Sequence, residues 1–247
     1  MLFRNPLCLA VDGANLEKVQ RVARDFRGCT TTVKVGPTLM LAWGPYAVRG
    51  LGELGMSDII LDSRLFGNHQ EIWTAISEAA QIRSVKGLTV QATCGPDILA
   101  MAVEAADKSK SISQRGDTPK IIGSLVPPVL DAPALHSCMV CASSRREYVC
   151  ELARLCCQAG LHGALVEYED IPMIREVCNI PLIGVSRRKI ENYSVRLSPE
   201  EMRQPGVVDV LKAGARHAVL GMELVGFDAE WSADMVRKDI IAWKGNQ

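Results

Sequence analysis

The sequence predicts a single α/β domain over residues 1–247, a (β/α)8 barrel of the kind also called a TIM barrel. Three observations predict it. Short apolar runs alternate with longer amphipathic segments along the whole chain, they form eight pairs, and the pairs recur at roughly thirty-residue spacing. No linker-like stretch divides the chain, and an open doubly wound sheet would have fewer strands, so the closed barrel is favoured.

The predicted strands are too short to be helices and are rich in Val, Ile or Leu. In chain order they are residues 6–12, 31–36, 58–62, 87–91, 120–124, 163–167, 181–184 and 217–221. Each is followed by apolar residues at helical spacing, in residues 15–26, 40–54, 70–82, 96–106, 146–159, 171–178, 199–213 and 230–243. Ser198-Pro199 and Gly214 mark the start and end of the seventh helix.

Composition excludes several classes of protein. Lys plus Arg equals Asp plus Glu at 28 each, so the global charge does not indicate nucleic acid or an anionic membrane as partner. No apolar run reaches the roughly 18 residues that span a bilayer, and residues 1–6 do not resemble a signal peptide. We expect a cytoplasmic protein with a small-molecule substrate. Its 9 cysteines lie mostly in apolar segments and are expected to be reduced.

We expect neither a metal nor a cofactor. His136-Ser-Cys138-Met-Val-Cys141 brings His and Cys together at ligand-like spacing, but a second pair of ligands is not evident. The sequence also contains neither a glycine-rich dinucleotide loop nor a P-loop.

Catalytic groups of such a barrel lie at the carboxyl ends of the strands, at its mouth. Lys34 is the most informative residue there, because an ionisable group in an apolar strand needs partners. Asp12 and Asp62 end the neighbouring strands and are the expected partners. The alternative is that these three residues form only an ion network that closes the barrel.

Polar residues follow the other strands as well. Arg187-Arg188-Lys189 comes after the seventh strand, where many barrels bind phosphate, although a solvated basic loop is the alternative. We predict Lys34, Asp62 and Arg64 as catalytic residues. The predicted residues that bind the substrate, which we expect to be anionic, are Asp12, Gln91, Ser124, Glu167, Arg187, Arg188 and Lys189.

Several of these residues lie in stretches that resemble a known family. Leu9-Ala-Val-Asp12, Val33-Lys34-Val-Gly36 and Leu61-Asp62-Ser-Arg64-Leu65 resemble the first three strands of orotidine 5'-phosphate decarboxylases and their relatives. Further similar stretches are Met40-Leu-Ala-Trp-Gly-Pro45, Cys94-Gly-Pro-Asp97, Ala159-Gly-Leu-His-Gly163 and Leu211-Lys-Ala-Gly-Ala215. The resemblance spans nearly the whole chain and implies the barrel fold and a homodimer that pairs through the barrel mouths.

The sequence departs from the family pattern at the reacting residues. The family's third strand carries Asp-x-Lys-x-x-Asp. The resemblance implies that its first Asp holds or destabilises the substrate's carboxylate end, its Lys protonates the carbon left behind, and its second Asp crosses the dimer interface. Here these positions are Asp62, Arg64 and Gly67, and a guanidinium is no proton donor near neutral pH. The family's phosphate-binding Arg after the eighth strand is replaced by Met222.

The sequence therefore leaves three hypotheses. The first is a divergent decarboxylase-like lyase of a specialised biosynthetic pathway, acting on a small carboxylated or carbonyl substrate. In it Asp62 is the general base, Lys34 the acid or electrostatic partner, and Arg64 a clamp for a carboxylate or enolate. The second is a non-catalytic binding or scaffold descendant, and the third is orotidine monophosphate decarboxylation itself.

The shape of the mouth distinguishes an enzyme from a scaffold. An enclosed pocket lined by Lys34, Asp62, Arg64 and Gln91 favours an enzyme, and a mouth plugged by Trp43, Phe66 or Met222 favours a scaffold. Residues 125–142 and 185–197 form connections long enough to act as lids. Phe66 and Ile98 are the apolar residues expected in the dimer interface.

Overall fold

The structure is a computed structural model that describes residues 2–111, 118–126, 133–134, 137, 144–190, 198–225 and 228–245. Its strands, all parallel, close into a barrel in the order β1 to β8, with β8 paired to β1. They are β1 Leu7–Val11, β2 Thr32–Val35, β3 Asp58–Leu65, β4 Val85–Gln91, β5 Lys120–Ser124, β6 Gly163–Glu167, β7 Leu182–Val185 and β8 His217–Gly221. The predicted (β/α)8 barrel is confirmed.

Helices lie between the strands and cover the outside of the barrel. Those described are α1 Leu16–Phe26, α2 Pro37–Glu53, α3 His69–Ala80, α4 Pro96–Lys108, α5 Arg145–Gln158, α6 Ile171–Arg175, α7 Pro199–Arg203, α8 Val207–Lys212 and α9 Ala229–Gly245. Several start at a polar side chain that accepts a hydrogen bond from a backbone N–H of the first turn. Asn15, Asn68, Ser144 and Ser198 have this role.

The core has two layers. The larger layer lies between the sheet and the helices, and a smaller cluster of strand residues, together with Phe3 before β1, fills the inside of the barrel. That inner cluster consists of Phe3, Cys8, Ile60, Ile122, Leu165, Ile183 and Val219. Because aliphatic side chains fill the middle of the barrel, ligand-sized space is expected only at its two ends, the mouth and the opposite floor.

Two predicted helices differ from the structure. The predicted helix over residues 199–213 is two helices, α7 and α8, because Pro205 forces Gln204 out of the helical region to a ψ of 144° and Gly206 follows. The predicted helix over residues 171–178 ends at Arg175. The break between α7 and α8 matters for the site, since it presents backbone carbonyls near the loop after β7.

Two elements next to the mouth are also irregular. Helix α2 is kinked at Gly44, whose φ of 54° and ψ of −145° are not helical, immediately before Pro45. Strand β3 continues to Leu65, beyond its predicted end at Asp62, and its register against β4 shifts between Leu61 and Leu65. The chain therefore forms a bulge beside the predicted catalytic residues.

Some predictions fall on residues outside the described part of the chain. Most of residues 125–142 and 185–197, the predicted lids, lie there, and so do His136, Cys138 and Cys141. Among the described residues, no group of three or more potential metal ligands is found. None of the described helices has the length and apolar character needed to cross a membrane.

Candidate active site at the barrel mouth

Lys34 and Asp62 meet at the mouth. The Lys34 Nζ donates a hydrogen bond to Asp62 Oδ2, and the two charges form an ion pair. The side chain of Asp62 is 2% exposed and that of Lys34 is 13% exposed, so the pair is largely removed from water. A buried pair of this kind is rigid, because separating it would leave an uncompensated charge.

Asp62 is also held by residues on its other side. Thr89 Oγ1 donates to Asp62 Oδ1 at 3.0 Å, and Arg64 Nε donates to the same oxygen at 3.3 Å. Burial alone would raise the pKa of Asp62, but the charges and hydrogen bonds of Lys34 and Arg64 outweigh it and hold that pKa below its usual value. Asp62 is therefore an ionised carboxylate with both oxygens occupied. This geometry does not suit the general-base role expected from the sequence.

Arg64 adopts an unusual backbone conformation. Its φ is 42°, and it is the one non-glycine residue with positive φ in the described part of the chain. Its N–H donates to Thr89 Oγ1 at 2.7 Å, so Thr89 holds both the Asp62 carboxylate and the Arg64 peptide. Such a conformation costs on the order of 1–2 kcal/mol and persists where neighbouring contacts fix it. Thr89 lies within β4 rather than at its end, so a search for polar residues at strand ends does not find it.

Asp12 does not join the Lys34 pair. Its Oδ1 accepts hydrogen bonds from the N–H of Leu39 at 2.8 Å and of Gly13 at 2.9 Å. Leu39 lies in the first turn of α2, where free N–H groups attract a carboxylate. The expectation that Asp12 pairs with Lys34 is therefore wrong. A side chain on Gly36, the residue before α2, would collide with Asp12, so a glycine is required there.

The three cations after β7 do not form one cluster. The pairs are Arg187 with Glu167 at 2.6 Å, Arg188 with Asp209 at 2.8 Å, and Lys189 with Glu201 at 2.8 Å. Arg188 also donates to the Gln204 carbonyl at the break between α7 and α8. The expectation of a single phosphate-binding cluster is therefore wrong. Of the three cations, only Arg187 turns toward the strand ends, while acidic residues of α7 and α8 hold the other two.

Glu167 ends β6 and is buried. Burial raises the pKa of Glu167, although the Arg187 guanidinium opposes that rise. Ser124, at the end of β5, lines the same cavity as Glu167. Gln91 has a different position: its Nε2 donates to the Leu125 carbonyl at 3.1 Å, which fixes the chain as it leaves β5. Gln91 is not among the residues that line the mouth cavities.

Two cavities open at the mouth, and Lys34 lies between them. One has a volume of about 240 Å³ and is lined by residues that include Ser124 and Glu167. The other has a volume of about 390 Å³ and is lined by residues that include Asp12 and Asp62. Ala10, Lys34, Arg64 and Glu223 line both. Lys34 thus borders both spaces.

None of the three expected plugs lines these cavities in the described part of the chain. The indole Nε1 of Trp43 donates to the Ala14 carbonyl at 2.8 Å, and Phe66 is 72% exposed. Met222 packs against the hydrophobic core. Among the described residues, none of the expected plugs fills the space beside Lys34, which is the arrangement that favours a ligand-binding site.

Glu223 was not expected in the site. It follows β8 by two residues, and a side chain on Gly221 would collide with its carboxylate, so Glu223 lies over the end of that strand. The resemblance implies a phosphate-binding arginine in this region, but the chain places a carboxylate there. Glu223 stands one residue after Met222, beyond the position at which the family pattern places its arginine.

Comparison with known proteins agrees with the barrel fold. No known family profile matches the chain. The curated orotidine 5'-phosphate decarboxylase of Geobacter sulfurreducens is 25% identical over 97% of this chain and 97% of its own length. A crystal structure of an uncharacterized conserved protein from Geobacillus kaustophilus covers 95% of this chain and 99% of its own, with a TM-score of 0.77 and 21% identity. Orotidine 5'-phosphate decarboxylase from Lactobacillus acidophilus covers 96% of this chain and 99% of its own, with a TM-score of 0.74 and 18% identity.

Proposed function

Because the chain belongs to the orotidine 5'-phosphate decarboxylase superfamily, we propose that it is a proton-transfer enzyme acting at the barrel mouth on a small carboxylated or carbonyl substrate. One observation carries the proposal: the Lys34 ammonium, fixed by the buried Asp62, stands between two open cavities. A fixed cation with a transferable proton beside ligand-sized space is the basis of general-acid catalysis.

In this proposal Lys34 is the acid and Asp62 its anchor. Asp62 cannot release its partners without leaving buried charges unpaired, so its role is to orient the ammonium and to stabilise its charge. Arg64 retains its protons and serves as an electrostatic clamp for a substrate carboxylate or enolate. This assigns Asp62 to positioning rather than to the base role expected from the sequence.

The proposed step balances without an external reagent. In a decarboxylation the bond from the substrate carbon to its carboxylate breaks, carbon dioxide leaves, and the electron pair stays on the carbon. A proton from Lys34 Nζ then forms the new C–H bond, and water later returns a proton to the amine. For a carbonyl substrate that loses no carbon dioxide, the neutral Lys34 amine would first remove the proton from the carbon next to the carbonyl, and the resulting ammonium would return a proton to the enolate carbon.

The negative charge of Glu223 limits the class of substrate that the mouth would bind. A phosphate near Glu223 would meet a like charge, one residue after Met222, which stands where the resemblance implies an arginine. Arg188 and Lys189 are engaged by acidic residues and would have to leave them to bind phosphate. We therefore propose that the substrate at the mouth carries a carboxylate and lacks a phosphate.

Orotidine monophosphate decarboxylation is the second candidate. The curated relatives that match the chain over most of its length carry that name, and Lys34 and Asp62 occupy the positions that the resemblance implies. Against it are Arg64, Gly67 and Met222, which replace the proton donor, the second carboxylate and the phosphate-binding arginine that the resemblance implies.

Titration and turnover experiments separate these candidates. Calorimetry would measure binding of orotidine and uridine monophosphates, and released carbon dioxide would report turnover of orotidine monophosphate and of unphosphorylated 3-oxo acids. We expect turnover of an unphosphorylated acid that is lost in Lys34→Met and retained in Lys18→Met, a matched change on the exposed face of α1. Turnover of orotidine monophosphate would overturn the substrate class, and absence of any turnover would favour the scaffold.

We also propose a homodimer paired near the mouths. The largest exposed apolar side chains include Leu41 and Tyr46 of α2 and Phe66 after β3, which are 89%, 67% and 72% exposed. Exposed apolar residues of this size on neighbouring elements are typical of an interaction surface. Residues from the loop after β3 would then approach the partner's mouth, as the resemblance implies.

A further inference from the structure

The floor of the barrel, opposite the mouth, contains a cavity of about 840 Å³. Five cationic side chains line it: Arg4, Lys120, Arg175, Arg216 and Lys244. No Asp or Glu is among its described lining residues. We propose that this floor cavity binds a phosphorylated compound carrying at least two negative charges, at a site separate from the mouth and independent of the function proposed there.

The described part of the chain supplies no ion-pair partner for these cations. Among the described residues, none of the five forms a salt bridge. At the mouth the situation is reversed, since Lys34, Arg64 and Arg187 each have a carboxylate partner. A chain with 28 basic and 28 acidic residues could supply partners at both ends, so the separation of charge at the floor favours an external anion.

Helix dipoles account for only part of this cluster. The carboxyl ends of the helices point toward the floor, and cations are favoured there. This explains Arg175 at the end of α6 and Lys244 in the last turn of α9. Arg4, Lys120 and Arg216 lie instead just before or at the start of β1, β5 and β8, outside any helix end. Helix dipoles therefore do not account for the positive charge that these three residues bring to the cavity.

Some polar groups of the cavity are already fixed in place. The Arg175 guanidinium donates to the Gly214 carbonyl at 2.9 Å and to the Ile180 carbonyl at 2.6 Å, which holds its charge in one orientation. His162 Nδ1 accepts from the Ile121 N–H at 3.1 Å, so the proton of its neutral ring is on Nε2 and is available to an acceptor. Fixed donors reduce the entropy lost when an anion binds.

A second, independent feature of the cavity is His217, a buried side chain with an unpaired ring nitrogen. It lines the cavity, is 2% exposed, and donates from Nδ1 to the Asn5 carbonyl at 2.8 Å. Its Nε2 is buried and has no hydrogen-bond partner among the described residues. Buried polar atoms are seldom left unpaired, and in this proposal a ligand hydroxyl or a protonated phosphate oxygen donates to this one after a shift of the His217 ring, which packs edge-on against Phe3.

The size and lining of the cavity restrict the ligand further. A volume of about 840 Å³ is in the range of small-molecule sites and exceeds what one inorganic phosphate fills. Trp243 of α9 also lines it and offers an aromatic surface to an organic moiety. Sugar phosphates and nucleotides share the required phosphate chemistry, and they differ in whether a planar base can contact Trp243.

Calorimetric titration at physiological ionic strength tests the proposal with two probes, inorganic pyrophosphate and ADP. Pyrophosphate is expected to bind, and Arg4→Gln/Lys120→Gln/Arg216→Gln should weaken binding about tenfold or more. The control Lys18→Gln/Arg49→Gln/Arg203→Gln removes the same charge from exposed positions outside the cavity and should leave binding unchanged. Absence of binding by both probes, or equal weakening in both triple variants, would overturn the proposal.

Two further variants locate the ligand and identify its class. Lys34→Met should not change pyrophosphate affinity, and a loss of affinity there would place the anion at the mouth and contradict the proposal. In Trp243→Leu, weaker binding of ADP with unchanged binding of pyrophosphate would identify a nucleotide. If the affinities for both probes are the same in that variant as in the wild type, the ligand is a phosphorylated compound without a base.

Discussion

Removing the charge of Asp62 tests the network on which the proposed site depends. In Asp62→Asn the Lys34 ammonium, only 13% exposed, loses its ionic partner, and Arg64 loses its own. Breaking a buried pair by removing one partner costs about 3–5 kcal/mol, and we expect the lower end, about 3 kcal/mol, because asparagine can still accept from Thr89. For a chain of this size that lowers the melting temperature by about 6–12 °C.

The assay is urea unfolding followed by circular dichroism, for the wild type, Asp62→Asn, Lys34→Met and the double variant. Lys34→Met should cost less than Asp62→Asn, because Arg64 and Thr89 still hold the carboxylate. The two changes should therefore be non-additive by about 1 kcal/mol or more. Additive losses, or a loss below about 1 kcal/mol in Asp62→Asn, would refute the idea that Asp62 anchors the site.

The same variants have a defined pH dependence. The pKa of folded Asp62 lies below its unfolded value, so its stabilising contribution is complete above the unfolded pKa of about 4 and is lost as pH falls through the folded pKa. The stability difference between the wild type and Asp62→Asn should therefore narrow below about pH 4. A difference that stays constant through that range would contradict the assigned charge state.

Three further predictions concern strain, burial and assembly. Because Arg64 has a φ of 42°, Arg64→Gly should unfold at higher urea concentration than Arg64→Ala, by about 1 kcal/mol in free energy, and equal stabilities would show that the position is unstrained. Burial lowers the pKa of His217 to about 4, so between about pH 6.5 and pH 4 this histidine takes up a proton only in the unfolded state. As the pH falls through that range, the free energy of unfolding of the wild type should decrease by up to about 3 kcal/mol more than that of His217→Gln. Parallel pH profiles of the two proteins would argue against a buried neutral His217. Leu41→Glu with Phe66→Glu should convert the proposed dimer to a monomer in sedimentation analysis, and a monomeric wild type would rule the dimer out.

The fold was predictable because it depends on local patterns. Apolar strands and amphipathic helices alternate eight times, and polar caps such as Asn68 and Ser144 stand where the helices begin. The break at Pro205 could have been read from the sequence, since proline excludes the helical conformation of the residue before it. The bulge after Asp62 could not, because it depends on the contact of Arg64 with Thr89, two residues from different strands.

The site was predictable only in part. Lys34 and Asp62 meet because the ends of neighbouring parallel strands lie side by side. Asp12, Arg188 and Lys189 have partners that pattern alone does not reveal: the start of α2 and acidic residues of α7 and α8. Charged side chains choose among several neighbours by geometry, and that geometry is set by the tertiary fold.

Deuterium incorporation tests the proposed proton transfer most directly. The protein would be incubated in D2O with unphosphorylated 2-oxo and 3-oxo acids, and proton NMR would follow the C–H signals next to the carbonyl or formed after loss of carbon dioxide. The proposal predicts enzyme-dependent incorporation into at least one acid, lost in Lys34→Met and kept in Lys18→Met. Incorporation that persists in Lys34→Met, or none with any acid, would contradict the assignment of Lys34 as the proton donor.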